Sequence, residues 1–485
     1  MFSRIPITVV ATVLVVPMGL GLGILLSKVL SALATPSVMG VLSSLPPFAI
    51  WGFVIGIVSM TLIIILRQDE LAATVVVVVS LYVDWYLGMT FVATILALGL
   101  LLIFFLARSP QYPWARPGAL WLWALFLVLA ILQTNRAPNF LYAAEYYVGS
   151  ILSALVMLWL GIVIARDAGY VRQFFQIISV LGALIAIHTT IEATTGVFIL
   201  ESSRAAANTI ATEYLDPSAP AIHRATSFFL ATNSDGAFLA LMFFVPLTLF
   251  TIKSSFIWKI IFLTEMLVTL LGLLFTYSTG AWTSVFVGFV VFTVLVGRMR
   301  YRIQNILFLL VAGVVGIIAF PSQISLLFQH SSNSSELALR TAVWQTAIRV
   351  IEVFPLTGLG IGRDVYLLNA QSYRVLGEYD IVNHPHNSYL EFAALGGLPV
   401  GIVFIAVLLV TLWLALRNWQ QIDVESRPLL AGGIAAATAL SWYSLSDAGW
   451  TVAPLVTIGW LILGVVSSPL LYKKEHRESK TRFLT

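Results

Sequence analysis

Apolar runs of about 20 residues recur along almost the whole chain, and they constrain its fold more than any other feature. Hydrophobic residues make up 59% of the 485 positions and charged residues only 10%, whereas a soluble domain carries about 25% charged residues. A helix of about 20 apolar residues spans a bilayer and satisfies its own backbone hydrogen bonds there. The sequence therefore predicts an all-α fold, a polytopic integral membrane helix bundle.

We predict about 12–14 transmembrane helices, with a large extracytoplasmic loop that contains short helices. The count stays open because the predicted span at 70–86 is short and contains Asp84. The predicted segments are N-terminal transmembrane helices (1–194), an extracytoplasmic loop (195–235), central transmembrane helices (236–320), the large extracytoplasmic loop (321–388), C-terminal transmembrane helices (389–470) and a basic cytoplasmic tail (471–485).

Lysine and arginine concentrate in alternate short loops and in the tail, which predicts the orientation. Short loops rich in these residues stay in the cytoplasm. Both termini are then cytoplasmic, and the loop 321–388 faces outward from a cytoplasmic (inner) membrane. The N-terminus has no small-residue cleavage site, so we expect its first helix to be retained.

The charge balance and the absence of cysteine exclude several classes of function. With no cysteine, there is no disulfide, thiol nucleophile or cysteine-ligated metal. The net charge of +4 follows from the cytoplasmic loops and favours contact with anionic lipid headgroups. It does not indicate a nucleic-acid partner.

The large outer loop departs from the charge rule, because it carries Arg340, Arg349, Arg363 and Arg374. This excess suggests an anionic ligand outside the membrane. A guanidinium binds phosphate through a planar fork of donors, so Arg340 and Arg224 of the preceding loop form a candidate diphosphate clamp. Taken alone, Arg224 also fits an interfacial anchor, and Arg349 fits a contact with lipid phosphate.

The outer loop ends in His384-Pro385-His386-Asn387, directly before an apolar span. Histidine suits proton transfer near neutral pH, and Pro385 disfavours a helix between the two imidazoles. One histidine can take a proton from a sugar hydroxyl while the other orients it. A zinc site and a purely structural pair are the alternatives.

Two further patterns lie in the same loop. An apolar face predicts an amphipathic helix near 335–352, ended by Pro355. The glycines that follow, at 358, 360 and 362, permit a tight turn or a close backbone approach. They match no nucleotide-binding motif, and the turn can simply pack the loop against the bundle.

Glu265 and Asp447 fall inside or near apolar spans, where ionisable residues are costly and face a cavity or a partner. Both fit a proton path, so a multispan transporter or lipid flippase is the alternative function.

Four segments resemble, in order, the motifs of the O-antigen ligase and Wzy-type polymerase superfamily. They are Arg224-Ala225-Thr226-Ser227-Phe228, Arg340-Thr341-Ala342-Val343-Trp344, Phe354-Pro355-Leu356-Thr357-Gly358-Leu359-Gly360 and His384-Pro385-His386-Asn387-Ser388-Tyr389-Leu390 with Gly396-Gly397. The resemblance covers about 220–402. It departs from the family at Ser278-Thr279-Gly280, where the family often has Ser-Arg-Gly.

The resemblance implies a membrane glycosyltransferase that moves a glycan from an undecaprenyl-diphosphate carrier to an acceptor hydroxyl, without a metal or another cofactor. It assigns proton abstraction to His386, with His384 in support. The predicted substrate-binding residues are Arg224, Arg340, Arg363, Asn387 and Glu391. The implied partners are the lipid-linked oligosaccharide donor, the bilayer, and a flippase or chain-length protein. The acceptor is a glycan, a lipid or a protein hydroxyl, and the sequence does not separate ligase, polymerase and protein oligosaccharyltransferase.

Overall fold

A computed structural model describes residues 73–81, 92–106, 114–137, 140–196, 224–252, 254–296, 299–325, 334–378 and 382–471, except positions 75, 79 and 230. Residues 1–72 of the predicted N-terminal transmembrane segment and the tail 472–485 lie outside these residues, as does much of the loop 195–235.

The longer elements in the described residues are helices. In chain order they are α1 (Val92–Leu106), α2 (Leu120–Thr134), α3 (Phe140–Tyr146), a π-helical turn (Tyr147–Leu152), α4 (Ser153–Ile164), α5 (Ala168–Thr195), α6 (Thr232–Thr251), α7 (Phe256–Thr276), α8 (Thr279–Leu295), α9 (Met299–Ala319), α10 (Ser334–Val353), α11 (Arg363–Asn369), a 3-10 turn (Ala370–Tyr373), α12 (Ser388–Gln421), α13 (Arg427–Tyr443) and α14 (Ala453–Ser467).

Six helices are long and apolar enough to cross a membrane, within the part of the chain that the structure describes. They are Tyr142–Ile164, Ala168–Thr195, Thr232–Thr251, Phe256–Thr276, Arg302–Ala319 and Ser388–Gln421. Four shorter apolar helices accompany them. The prediction of an all-α polytopic membrane protein is confirmed, and the predicted count of spans stays a prediction.

The helices pack most closely where small residues face one another. A methyl group on Gly161 of α4 would lie 2.2 Å from the Leu461 carbonyl oxygen, and one on Gly464 of α14 would lie 2.1 Å from that of Leu158. Small residues let two backbones approach, which maximises van der Waals contact inside a bilayer. The buried α6 and α13 lie beside this pair in the same core.

Because the helices run in alternating directions, their termini gather at two ends of the bundle. We call one of them the site end. There α5, α7 and α13 end and α6, α8 and α12 begin, as contacts between these termini show. The opposite end gathers the starts of α5, α7, α9 and α13. Most sequence-predicted site residues therefore meet at one end, although they come from distant parts of the chain.

The predicted loop helix is confirmed as α10, which ends two residues before Pro355. The glycine-containing turn that follows docks onto α12, where the helix breaks at Gly397 (φ 78°, ψ 170°). The freed carbonyls of Ala394 and Leu395 accept hydrogen bonds from the backbone of Leu359 and Gly360, and Leu398 donates to Pro355. The turn thus fixes the segment that follows α10 to the bundle.

We expect Gly397→Ala to destabilise the protein by about 1–3 kcal/mol, because it forces an alanine into a positive-φ conformation. The new methyl would also lie 2.5 Å from the Leu356 carbonyl carbon. Gly313→Ala is the matched control, since nothing lies within 4 Å of a methyl there and alanine favours a helix interior. Thermal unfolding in detergent measures both. Equal melting temperatures for the two variants would contradict this account of the break.

Candidate active site

His386 and Asp447 form a hydrogen-bonded pair at the site end. His386 lies just before α12 and Asp447 just after α13, and their Nδ1 and Oδ1 atoms are 3.2 Å apart. The Asp447 oxygen also accepts from the backbone N–H of Ala448 at 2.8 Å. When Nδ1 of His386 carries the proton and donates it to the Asp447 carboxylate, the free lone pair of the imidazole lies on Nε2. That arrangement suits a general base oriented by an anion.

His384 supports this pair from the same loop. Its Nδ1 accepts a hydrogen bond from the backbone N–H of His386 at 3.1 Å, and the two ring centroids are 4.3 Å apart. Burial, with the nearby charges of His386 and Arg363, lowers the pKa of His384 well below its ordinary value. His384 is therefore neutral at neutral pH and positions the backbone of its neighbour.

Asp447 is ionised in this setting. Burial alone would raise the pKa of its carboxyl, but His386, His384 and Arg340 together hold it below its ordinary value. The proton path suggested for Glu265 and Asp447 stays a prediction, and the Glu265 carboxylate of α7 accepts a hydrogen bond from the Ser179 hydroxyl of α5 at 2.5 Å. The sequence signalled that Asp447 needed a partner and did not identify His386 as that partner.

Helix α10 places two motif residues, Arg340 and Trp344, next to the His386–Asp447 pair. Arg340 and Trp344 are one turn apart, so they share a face of the helix. Arg340 donates to the Ser446 carbonyl at 3.2 Å, and the Trp344 indole donates to the His386 carbonyl at 3.4 Å. The arginine thus lies beside Asp447, while the tryptophan holds the backbone of His386.

Arg224 is held by the end of α7 and the start of α6. Its Nε donates to the Thr276 carbonyl at 3.0 Å, and its Nη2 donates to the Asn233 side chain at 3.2 Å. The backbone after Arg224 is fixed by the buried Glu192 of α5, whose Oε2 accepts from the N–H groups of Thr226 and Ser227. These contacts fix the backbone and the guanidinium of Arg224 at the site end.

Tyr443 connects the two predicted phosphate-binding arginines. Tyr443 is buried at the end of α13, and its carbonyl accepts from the backbone N–H of Asp447 at 3.1 Å. The charges of Asp447, Arg340 and Arg224 all act on its hydroxyl. The two guanidinium groups therefore act on one region, next to the His386–Asp447 pair. The turn where an arginine of the family is missing borders the same region, since a methyl on Gly280 would lie 2.9 Å from the Ser446 hydroxyl.

Arg363 and Glu391 pair with each other. Arg363 Nε lies 3.0 Å from Glu391 Oε1, which also accepts from the Tyr146 hydroxyl at 2.9 Å. Thr451 bridges them, accepting from Arg363 at 3.1 Å and donating to Glu391 at 2.6 Å. The pair fastens α11 to α12 beside the histidines, and the predicted substrate contact of either residue stays a prediction.

Asn387 caps the N-terminus of α12. Its Oδ1 accepts from the N–H groups of Tyr389 and Leu390, both at 3.0 Å, and its Nδ2 donates to the Leu445 carbonyl at 2.9 Å. An asparagine cap of this kind satisfies the free donors of a first helical turn. Asn387 thereby fixes the residue after His386, and its predicted contact with substrate stays a prediction.

Three residues at the site end have strained backbone conformations. Among the described residues, the non-glycine positions with positive φ include His386 (47°), Ser227 (48°) and Tyr277 (51°). Each such conformation costs about 1–3 kcal/mol and persists only where its surroundings enforce it. The three residues lie in the His386 loop, the Arg224 turn and the end of α7 that binds Arg224.

Within the described part of the chain, His384, His386 and Asp447 also form a group that could hold a metal ion. Each offers one ligand atom, and these atoms lie within 4.8 Å of one another. Two imidazoles and a carboxylate suit a transition metal. The zinc alternative therefore has a geometric basis that sequence spacing did not supply.

Comparison with known proteins points to a family. Residues 266–405 match the family model described as O-antigen ligase. This match supports membership of the O-antigen ligase/polymerase family. None of the curated proteins matches it.

The family match supports a role in surface glycan assembly at a membrane. The matched stretch includes α10, α11 and the start of α12, and so Arg340, Arg363, His384, His386, Asn387 and Glu391. Arg224 and Asp447 lie outside that stretch, and tertiary contacts bring them to it.

The lowered pKa of His384 predicts that the free energy of unfolding decreases in mild acid. The unfolded chain binds a proton on this histidine below about pH 6.5, whereas the folded protein, with its lowered pKa, does not. Unfolding therefore becomes more favourable as pH falls below that value. Asp447 does not change this pH dependence between pH 7 and pH 5, because its carboxyl is ionised there in both the folded and the unfolded protein.

We expect the melting temperature of the wild-type protein to fall more between pH 7 and pH 5 than that of His384→Gln. Unfolding in detergent at a series of pH values measures this difference. Parallel pH profiles for the two proteins would contradict the assignment of a neutral His384.

Proposed function

We propose that the protein transfers a glycan from an undecaprenyl-diphosphate carrier to an acceptor hydroxyl, on the outer face of the cytoplasmic membrane. The observation that carries the proposal is the convergence of the His386–Asp447 pair with Arg340, which binds the Ser446 carbonyl, and with Arg224, which binds the end of α7 beside the Gly280 turn. A base and two cations next to one another are what such a transfer requires.

In the proposed reaction, Nε2 of His386 takes the proton of the acceptor hydroxyl. The acceptor oxygen forms a bond to the anomeric carbon while the bond from that carbon to the carrier diphosphate breaks. The electron pair leaves with the diphosphate, so negative charge grows on the leaving group. Attack opposite to the diphosphate inverts the anomeric configuration.

Arg340 and Arg224 stabilise the departing diphosphate in this scheme. Fixed cations in a partly dry site stabilise charge that develops in the transition state more than water does. Asp447 stabilises the imidazolium that forms on His386. The Arg363–Glu391 pair holds α11 against α12 and so keeps the histidine loop in place.

The test uses purified protein with a glycan on an undecaprenyl diphosphate and a hydroxyl acceptor. Transfer to the acceptor, with release of undecaprenyl diphosphate, is expected; a nucleotide sugar as donor should give none. Retained anomeric configuration in the product would contradict the proposed mechanism. Transport of the lipid-linked glycan across liposomes without any glycosidic bond formed would instead support the transporter alternative.

We expect the reaction to proceed without a metal ion, because the two arginines supply the positive charge at the diphosphate. Treatment with a chelator, followed by desalting into metal-free buffer, should leave the transfer rate unchanged within about twofold. Rates with added Zn²⁺, Mn²⁺ or Mg²⁺ serve as the comparison. Loss of activity on chelation and its return with one metal would assign His384, His386 and Asp447 to that metal.

A further inference from the structure

A polar cavity lies at the end of the bundle opposite to the site end, away from the histidines. It has a volume of about 570 Å³, and it is lined by residues from the starts of α5, α7, α9 and α13, the end of α6 and the segments that precede α7 and α13. A cavity of this size is in the range that holds small ligands. None of the residues proposed for glycan transfer lines it.

The cavity is basic. Arg172, Lys259 and Arg300 contribute three positive charges, against one carboxylate from Glu425. Four helices also begin around the cavity, and the positive ends of their dipoles favour an anion. The hydroxyl oxygen of Ser254 in the wall is buried and has no hydrogen-bond partner among the residues that the structure describes. The cavity thus offers charge and a polar group to an anionic ligand.

The rim next to the cavity is apolar and faces outward. Phe256 and Ile257 at the start of α7 are 78% and 69% exposed, and Met299 at the start of α9 is 69% exposed. In a membrane protein such side chains contact acyl chains. A ligand with a phosphate head and hydrocarbon tails would fill the basic cavity and cover this rim at once, whereas a free phosphate would not.

We propose that this cavity binds the headgroup of an anionic phospholipid. The phosphodiester lies among Arg172, Lys259 and Arg300, and a headgroup hydroxyl donates to Glu425. Basic pockets between transmembrane helices hold lipid headgroups in this way. With the orientation proposed above, the lipid belongs to the cytoplasmic leaflet, so the protein binds a resident lipid at one end and a lipid-linked substrate at the other.

The test measures lipid binding to delipidated full-length protein in neutral detergent and phosphate-free buffer, by native mass spectrometry. Phosphatidylglycerol is expected to bind more tightly than phosphatidylcholine, and added salt should weaken it. Each of Arg172→Gln and Arg300→Gln should weaken phosphatidylglycerol binding by about fivefold, which corresponds to about 1 kcal/mol for a charge near the headgroups.

Arg417→Gln is the matched control. This exposed arginine lies in the last turns of α12 and stacks on Trp413, and it does not line the cavity. Its removal subtracts the same charge and should leave lipid binding unchanged. Equal weakening in Arg417→Gln, or equal affinity for the two lipids, would overturn the proposal. Stabilisation by inorganic phosphate with none by phosphatidylglycerol would overturn the lipid as the ligand.

Discussion

Replacing His386 with alanine is expected to slow glycan transfer by about 10²–10⁴-fold, the range that a general base contributes. The variant removes the Nε2 lone pair that accepts the acceptor proton, and it leaves Asp447 without its imidazole partner. Donor binding should change little, because the two arginines remain. The measurement is the single-turnover rate, with the KM for the lipid-linked donor determined alongside.

Two variants separate the chemistry of His386 from the fold of its loop. Asn383→Ala changes an exposed neighbour and should keep the wild-type rate. Asp447→Asn keeps a hydrogen-bond acceptor and loses the charge, so it should lower kcat less than His386→Ala, at unchanged KM. A folded His386→Ala protein that transfers glycan within about threefold of wild type would show that the base lies elsewhere.

The arginine variants are expected to have the second large effect. Arg340→Gln and Arg224→Gln should each lower kcat by about 10²–10³-fold, as removal of one group that stabilises transition-state charge does. Lysine should restore only part of the rate, since it lacks the planar fork that binds two phosphate oxygens. The readout is kcat for donors that carry one glycan on a diphosphate.

Arg349→Gln is the control for this series. Arg349 lies on the same helix as Arg340 but is exposed, so its charge is removed without a change at the site. Its rate should match wild type. If Arg349→Gln were as slow as Arg340→Gln, the effect would come from the general charge of the outer loop and not from a diphosphate clamp.

The local sequence pattern was enough to predict the apolar membrane helices and α10. The apolar runs gave the membrane fold, and the 335–352 pattern gave α10 within one residue at each end. The His-Pro-His-Asn segment was placed correctly before a span, because Pro385 disfavours a helix and Asn387 caps one. These features depend on neighbours in sequence, so the sequence alone contains them.

The pairing of Arg363 with Glu391 was not predicted. The sequence predicts a contact with substrate for each of them, and they are 28 positions apart. Their contact depends on the break in α12 at Gly397, which lets the 355–360 turn dock and brings α11 to the start of that helix. A distant pair of opposite charges has no signature in a single sequence.

Asp447 shows the same limit more clearly. It is 61 positions from His386, and near an apolar span it was equally consistent with a proton path. The sequence by itself determined a multispan helical protein with the motifs of the O-antigen ligase family, and with histidines and arginines in its long loops. Only the tertiary structure joined Asp447 to His386 and set Arg224 near Arg340. The reason is physical, because contacts between helix termini are fixed by the packing of the whole bundle and not by any local stretch of chain.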